Sequence, residues 1–475
     1  MATTRRPVLF VSYPESGLIN PLLVLAGELA RRGVPDLYFA TDENRREEVE
    51  ALSASSPVSF VSLGDVDSEM SATSWEDTVY RAVTQKSKAK ANQAVICQTF
   101  RPRGRMEKYG KLEAAVAALD PALMVVDSIS QFGYEVAITT GTPFVLGVPF
   151  LPSNVLTTRT HVGRSHTPRD FPVPHSGLPY PMNLRQRLAN QLMKIRTLLP
   201  FLTPAMQELV KEDAELRQRH GIAPEAKGEM ARVDQAAMVL CYSIPEMDYP
   251  FSLPEKMRTV GALIPPLPQA PGEHELMRWL DAQESVVYLG FGTITRLTRE
   301  QVASMIEVVR RMKRHQFLWK LPPEQQDLLP PGGQLPANLR IEAWVPSQLD
   351  VLAHPNVRLF FTHAGSNGVH EGLYFGKPLL TRPLWMDCHD LAVRVQDFGV
   401  GLMLDRPDTI DPDDVTHKLT RMLGDPSFRL RAERIGQLQQ AAGGRRVAAD
   451  LLLALPALTA ARPHDETPLP QEKTP

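Results

Sequence analysis

Residues 344–388, WVPSQLDVLAHPNVRLFFTHAGSNGVHEGLYFGKPLLTRPLWMDC, decide how the rest of the chain is read. Within them Arg358–Phe361 (RLFF) reads as a short inner strand, THAGSNG as a Gly-bearing turn and VHEGLYFG as a helix. A strand running through such a turn into a helix N-terminus makes an anion site, because free backbone N–H groups and the helix dipole both point at the turn. His363 stands at the strand exit, where its ring N–H can reach the same anion. Glu371 falls on the helix that follows, placed to accept hydrogen bonds from a diol such as ribose.

Outward from this stretch the same alternation recurs. PVLFVSY (7–13), DLYFAT, ALMVVDS (122–128) and PFVLGV read as buried strands, with helices between them. NPLLVLAGELARRG predicts a helix with Asn20 as N-cap, Pro21 at the first helical position and Gly33 past its end. In the second half QFLWKL, RIEAWV and VRLFFTHAG are successive strands. Strands alternating with helices predict parallel, doubly wound sheets. The pattern fails between 150 and 235, where a Pro-rich loop precedes two amphipathic helical stretches. The expected organisation is a first domain over 1–245, containing the irregular 150–235 segment, a linker over 246–275, a second domain over 276–455 and a disordered tail over 456–475.

The run WVPSQLDVLAHP…THAGSNGVHEGLYFGKP…PLWMD resembles the donor-binding signature of UDP-dependent glycosyltransferases, which glycosylate small lipophilic acceptors; MRWLDAQESVVYLGFGTIT resembles that family too. The resemblance implies two Rossmann-like α/β domains facing across a cleft, the GT-B arrangement, with the UDP-sugar on the second domain as a co-substrate and neither cofactor nor metal. It implies that Trp344 stacks on the uracil and that Gln348 lies near the uracil or ribose. His363, Asn367 and Gly368, on the turn that includes Gly365 and Ser366, would hold the diphosphate. Glu371 would bind the ribose hydroxyls and Asp387 those of the sugar. In the FGT loop, Gly292 would let the backbone approach the phosphates while the Thr293 hydroxyl donates. Two positions depart from the pattern. Ser347 is an extra residue before Gln348, and Cys388 replaces the family's Gln beside Asp387, which leaves the sugar open and makes His389 a substitute candidate.

The catalytic base is the larger departure. In the family a His after the first strand takes the acceptor's proton and an Asp orients it. Here SGLINPLL puts Leu18 at the His position, while the Asp position holds Asp127. Three readings stay open. Another group serves as base, with Glu15 and Asp127 the candidates and Tyr13 and Ser16 near in sequence; or the acceptor is acidic enough to need none; or the chain binds a UDP-sugar without turnover, as a sensor or a partner of another transferase. Asp127 has a plainer alternative too, since a strand-terminal Asp can simply cap the turn after it. The acceptor is expected against Leu18, Asp127 and the 150–200 loop, and the product is a glycoside formed with inversion, most simply a glucoside.

Bulk properties exclude several classes. With 475 residues the chain has room for two or three domains, each with its own core. Lys and Arg number 52 and Asp and Glu 54, a net charge of −2 without a long basic run, so neither a nucleic-acid nor an anionic-membrane partner is expected. Cys97, Cys241 and Cys388 are far apart and lack metal-ligand spacing. MATTRRPVLFVSY enters a strand at once and no long apolar run occurs, so the expectation is a cytoplasmic protein without signal peptide or membrane span, monomeric or weakly dimeric. Asp65 and Asp67 form an isolated D-x-D, and Tyr374 stands where a zinc-protease helix begun by His370-Glu371 would need its second His. The turn GSNG lacks the spacing of a hydrolase elbow, and no G-x-G-x-x-G follows the first strand.

Overall fold

In the computed structural model, residues 7–161, 163–271, 273–330 and 335–459 are described. The first sheet is built from β1 (Val8–Val11), β2 (Leu37–Thr41), β3 (Val58–Ser62), β4 (Leu123–Asp127), β5 (Phe144–Val148), β6 (Met238–Cys241) and β7 (Met257–Thr259), in the order β3-β2-β1-β4-β5-β6-β7. The second contains β8 (Val286–Gly290), β9 (Gln316–Lys320), β10 (Leu339–Glu342), β11 (Val357–Thr362), β12 (Leu379–Thr381) and β13 (Gly401–Met403), in the order β10-β9-β8-β11-β12-β13. Every ladder is parallel; Val8 pairs with both Leu37 and Leu123, and Phe360 with Leu379 and Tyr288. The central strands are buried along their whole length, as VLFV and VVYLG are, because helices cover both faces of each sheet. The expected pair of doubly wound, Rossmann-like domains is what forms.

In each sheet the crossover direction reverses once, at β1/β4 and at β8/β11. Ligands of open α/β sheets bind at the carboxyl ends of strands at such switch points. Both ends face each other here. The Asn367 side-chain amide, beyond β11, donates to the Ser16 carbonyl beyond β1 (3.2 Å), and Ser366 Oγ donates to the Pro149 carbonyl beyond β5 (2.5 Å).

Seven helices matter below: α1 (Ser16–Arg31), α2 (Lys88–Thr99), α3 (Leu184–Leu198), α4 (Pro204–Arg219), α5 (Ser366–Tyr374), α6 (Asp387–Asp397) and α7 (Gly444–Leu453). The sequence reading starts α1 a turn too late. Pro21 lies inside the helix and Glu15 is the N-cap. Burying Leu18 (8 % exposed) and Ile19 (0 %) draws the preceding turn into the helix, where Pro21 forfeits one backbone bond. Between β5 and β6 a short helix, Pro152–Leu156, precedes α3, and Asn190 pins the loop before α3 by donating to the Phe171 carbonyl (2.9 Å) and accepting from the Val173 N–H (2.7 Å).

The domain bounds need two adjustments. β7 lies inside the 246–275 span read as linker, yet it pairs with β6 in the first sheet; among the described residues 260–274 there is neither helix nor strand. At the other end α7 leaves the second domain and packs on α1, burying Ala448, Ala449 and Leu452 in the core of the first sheet. Of the tail expected over 456–475, Pro456–Thr459 is a short helix and 460–475 lies outside the described residues.

Helix α6 joins the domains through one polar face. Asp390 (3 % exposed) accepts from the Asn154 amide and from the N–H groups of His175 and Gly177, at 2.8, 2.6 and 2.8 Å. One turn on, Arg394 binds Asp248 and the Ser153 hydroxyl and lies over the Tyr249 ring, and Asp397 accepts from the Tyr249 hydroxyl. Removing the Leu452 side chain (Leu452→Ala) is expected to destabilise the first domain by ~2–5 kcal/mol, read from urea unfolding followed by tryptophan fluorescence. A cost near zero would show that α7 is not part of that core.

Candidate active site

The second-domain half of the site is built on β11 and α5. Extended backbone ends at Thr362, and Ala364 takes a left-handed φ of 64°, unusual for a residue with a side chain, to turn the chain into α5. Gly365 is the N-cap of α5 and has no side chain with which to cap it, and the Ser366 N–H of the first turn meets the buried Asp387 carboxylate. The His363 ring sits between two glycines. A Cβ on Gly292 would fall 2.5 Å from its Cε1, and one on Gly365 2.3 Å from its Nε2. Gly292 also has a φ of 75°. Nδ1 of His363 is buried without a hydrogen-bond partner. Burial, then the nearby Arg382 guanidinium, hold the ring's pKa down at about 4, so at neutral pH it is an uncharged donor and acceptor.

Around Glu371 a short polar chain forms. Gln348 Nε2 donates to the Glu371 carboxylate (2.7 Å), and Tyr288 OH donates to Gln348 Oε1 (3.2 Å). Burial raises the Glu371 carboxyl above its usual range. The extra residue Ser347 has a local role, since its hydroxyl accepts the Asp350 N–H (3.1 Å) and caps the helix Gln348–Ala353 that carries Gln348. Trp344 is 67 % exposed, with the Lys320 ammonium 3.8 Å above its ring centre. A cavity of about 410 Å³, large enough for a small organic ligand, runs from Glu371 and Asn367 along α1 to Ile264 and Pro265 of the crossover.

The remaining candidates scatter. Ser366 and Asn367 use their side chains on the other domain's backbone, Pro149 and Ser16. Gly368 lets α5 close on β11, where a Cβ would lie 3.4 Å from Thr362 Oγ1, and Thr293 is exposed at the rim. Asp387 opens α6 after Met386, whose φ is 45°; burial, then Asp390, raise its carboxyl to about 7. Cys388, expected near the donor sugar, lies in the core. It is 2 % exposed and packs with Leu391, Ala392 and Val395 in the core, because the second position of α6 faces the sheet. His389 is half-buried at the domain junction, packed by Gly177; burial, then Lys88, lower its pKa to about 3.

On the first domain Asp127 is saturated. Its Oδ1 accepts the N–H groups of Ile129 (2.7 Å) and Ser130 (2.9 Å), and its Oδ2 the Tyr13 N–H (3.0 Å) and the Ser130 hydroxyl (2.5 Å). It ties the β1 exit to the β4 turn, the capping role that the sequence leaves open. Leu18 is packed in the apolar cluster with Val11, Met106 and Phe132. Glu15 differs. Half-buried at the α1 N-terminus, its carboxyl is pushed up to about 7 by burial, with Asp42 and Asp127 adding repulsion. Arg45 fixes this loop from outside by donating to the Pro14 carbonyl and the Ser16 hydroxyl, both at 2.8 Å.

Two basic residues near the site escape the sequence reading. Arg382 is 5 % exposed, with one terminal nitrogen lacking a partner, and its positive charge reaches His363. Lys320 stands between Trp344 and Glu371. The available signal was a lone cation closing a buried strand in both TRP and LWK. The D-x-D residue Asp67 caps its own turn by accepting the Glu69 N–H, and His370 pins the domains through Ser243 Oγ (2.8 Å). Among the described residues no cluster of three or more His, Cys, Asp or Glu could hold a metal, and no helix is long and apolar enough to cross a membrane.

Two facing doubly wound sheets with a helix N-terminus at their junction define a GT-B-type protein. A family model described as "UDP-glucoronosyl and UDP-glucosyl transferase" matches residues 48–441, and the chain belongs to that family. UDP-glucuronosyltransferase 2B18 of Macaca fascicularis is 25 % identical over 319 residues, 67 % of this chain and 57 % of that protein; the chain thus spans little more than half of that relative. Among solved structures, the glycotransferase of kitacinnamycin superposes with a TM-score of 0.67 at 19 % identity, covering 94 % of this chain and 98 % of that one. UDP-glucose: anthocyanidin 3-O-glucosyltransferase in complex with UDP gives 0.63 at 18 % identity, covering 95 % and 98 %. At these identities the structural likeness speaks for the fold alone.

The raised Glu15 carboxyl has a measurable consequence for stability. Its folded value, about 7, lies above the ordinary 4.5, so the fold favours the protonated form and loses stability as pH rises from about 4.5 to 7. Glu15→Gln removes that penalty. Its melting temperature should exceed that of the parent at about pH 8 and converge with it at about pH 4. Equal melting temperatures across the range would mean that Glu15 titrates normally.

Proposed function

We propose that this chain transfers a hexose, most simply glucose, from a UDP-sugar to a small lipophilic acceptor, with inversion at the anomeric carbon. The observation that carries the reading is the convergence of the α5 N-terminus with Asp387 beside it, the unpartnered His363 Nδ1 and the Gln348–Glu371 pair on one cleft. Membership of the transferase family supports it. The α5 turn and His363 receive the diphosphate, Glu371 and Gln348 the ribose hydroxyls, Trp344 the uracil and Asp387 the sugar. The uracil takes either the ring face that Lys320 now covers, displacing the ammonium, or the opposite one. With Cys388 in the core, His389 is the side chain beside Asp387 left to sense the sugar.

In the transfer step the acceptor oxygen attacks the anomeric carbon from the face opposite the diphosphate. The bond from that carbon to the β-phosphate oxygen breaks and its electron pair leaves with UDP. Donors fixed in advance by the fold meet the charge that develops on the leaving group. The acceptor's proton passes to the Glu15 carboxylate, which is half ionised near neutrality and therefore suited to this role. Asp127 has its oxygens committed to four local donors and is assigned the shaping of the Tyr13–Glu15 loop instead.

Incubation with UDP-glucose and a panel of phenols and alcohols, read by mass spectrometry, tests the activity directly; UDP binding without any product would favour a sensor or an inactive partner. Glu15→Gln should lower turnover of a neutral alcohol ~10²-fold or more, leave UDP affinity intact and abolish the rise of rate with pH centred near 7. His363→Ala should weaken UDP binding in calorimetry, and an unchanged affinity would remove the diphosphate assignment. Leu18→His should bring no gain on alcohols, because that position lies in an apolar cluster; a gain would show that the site merely lacks its usual base.

A further inference from the structure

Helix α3 exposes an apolar stripe that nothing among the described residues covers. Leu184 is 83 % exposed, Leu188 71 %, Leu192 41 % and Ile195 50 %, and the stripe continues through Leu199 (46 %) and Leu202 (69 %) in the helical turn that follows. The opposite side of α3 is anchored by the buried Asn190 and Met193, so the leucines are turned outward by a helix that is itself fixed. Together they form a patch on the order of several hundred Å², the size at which exposed apolar surface marks an interaction site.

The surrounding charge says what covers it. At about 100° per residue, Arg185 and Arg196 border the stripe on one side and Arg187 on the other. No Asp or Glu occurs between Asp170 and Glu208. The neighbouring helix α2 packs against α3, with the Gln93 amide donating to the Arg196 carbonyl (2.7 Å), and its first turn and the residues before it bring the exposed Lys86 and Lys90 from a segment with no acid between Asp77 and Glu107. A second copy of the chain docked by a two-fold axis would set these cations against each other. An anionic lipid surface complements both parts, taking leucines into the acyl boundary and guanidinium groups among the headgroups.

We infer that α3 lies in the plane of an anionic membrane surface and holds the protein there reversibly, through Leu184, Leu188, Leu192 and Ile195 flanked by Arg185, Arg187 and Arg196. The inference does not depend on the glycosyl-transfer reading. It concerns the outer surface of the first domain and leaves the cleft free.

The test uses the full chain with vesicles of phosphatidylcholine alone and of phosphatidylcholine mixed with phosphatidylserine. Co-sedimentation is expected with the mixed vesicles only, and to weaken as salt is raised. Leu188→Glu should reduce it at least tenfold, and the double change Arg185→Gln and Arg187→Gln by about twentyfold. Both should leave the melting temperature unchanged, since these side chains are exposed. Leu184→Ser with Leu188→Ser, which adds no charge, should also weaken binding. Failure to sediment with either vesicle, or undiminished binding by Leu188→Glu, overturns the inference. So does a concentration-dependent dimer that Leu188→Glu dissolves without any vesicle binding, which would assign the stripe to a second copy.

Discussion

A buried carboxylate sets the frame of this molecule. Asp390, nearly inaccessible to water, sits between the two domains on three donors from the first one: the Asn154 amide and the backbone of His175 and Gly177. An ionised carboxylate in that position is tolerated only while those donors surround it, and parting the domains would strip them away. The same helix starts at Asp387 and carries Arg394 onto Asp248 and Ser153. One short helix therefore holds a residue assigned to the donor sugar at its tip and the irregular 150–177 loop along its side. The place of Asp387 and the shape of the loop beside it are set by one rigid element.

The second-domain half of the site was legible because its chemistry is local. A strand, a glycine turn and a helix start follow one another within fifteen residues, and each is announced by its own composition. The two-sheet fold was legible for a related reason, since strands buried on both faces are continuous apolar runs. What escaped depends on distance. Strands β3, β7, β12 and β13 are short, three to five residues, and acquire strand character only beside a neighbour already in place. The early start of α1 follows from what Leu18 and Ile19 meet in the core, which local capping rules cannot see. Cys388 drew notice because it stands where the resemblance places a Gln, and on the helix it packs into the apolar core beneath the sheet.

On the first-domain side the Asp127 carboxylate gathers the donors of two loops. That bonding fixes the residues leading into Glu15. Burial there makes ionisation harder, which weakens the fold at neutral pH and at the same time matches the carboxyl to a proton-transfer task.

The return of α7 to the first domain alters how this chain can be recombined. A cut in the 260–274 crossover looks like the natural seam for exchanging halves between relatives, but it would leave Ala448, Ala449 and Leu452 of one parent pressed against α1 of another. Three segments, not two, make up the modules: the N-terminal half through the crossover, the donor-binding core, and a final ten-residue helix that belongs with the first. A chimera that respects this ordering exchanges residues 444–459 together with the N-terminal half, since Leu455, Ala457 and Leu458 also pack on the first core.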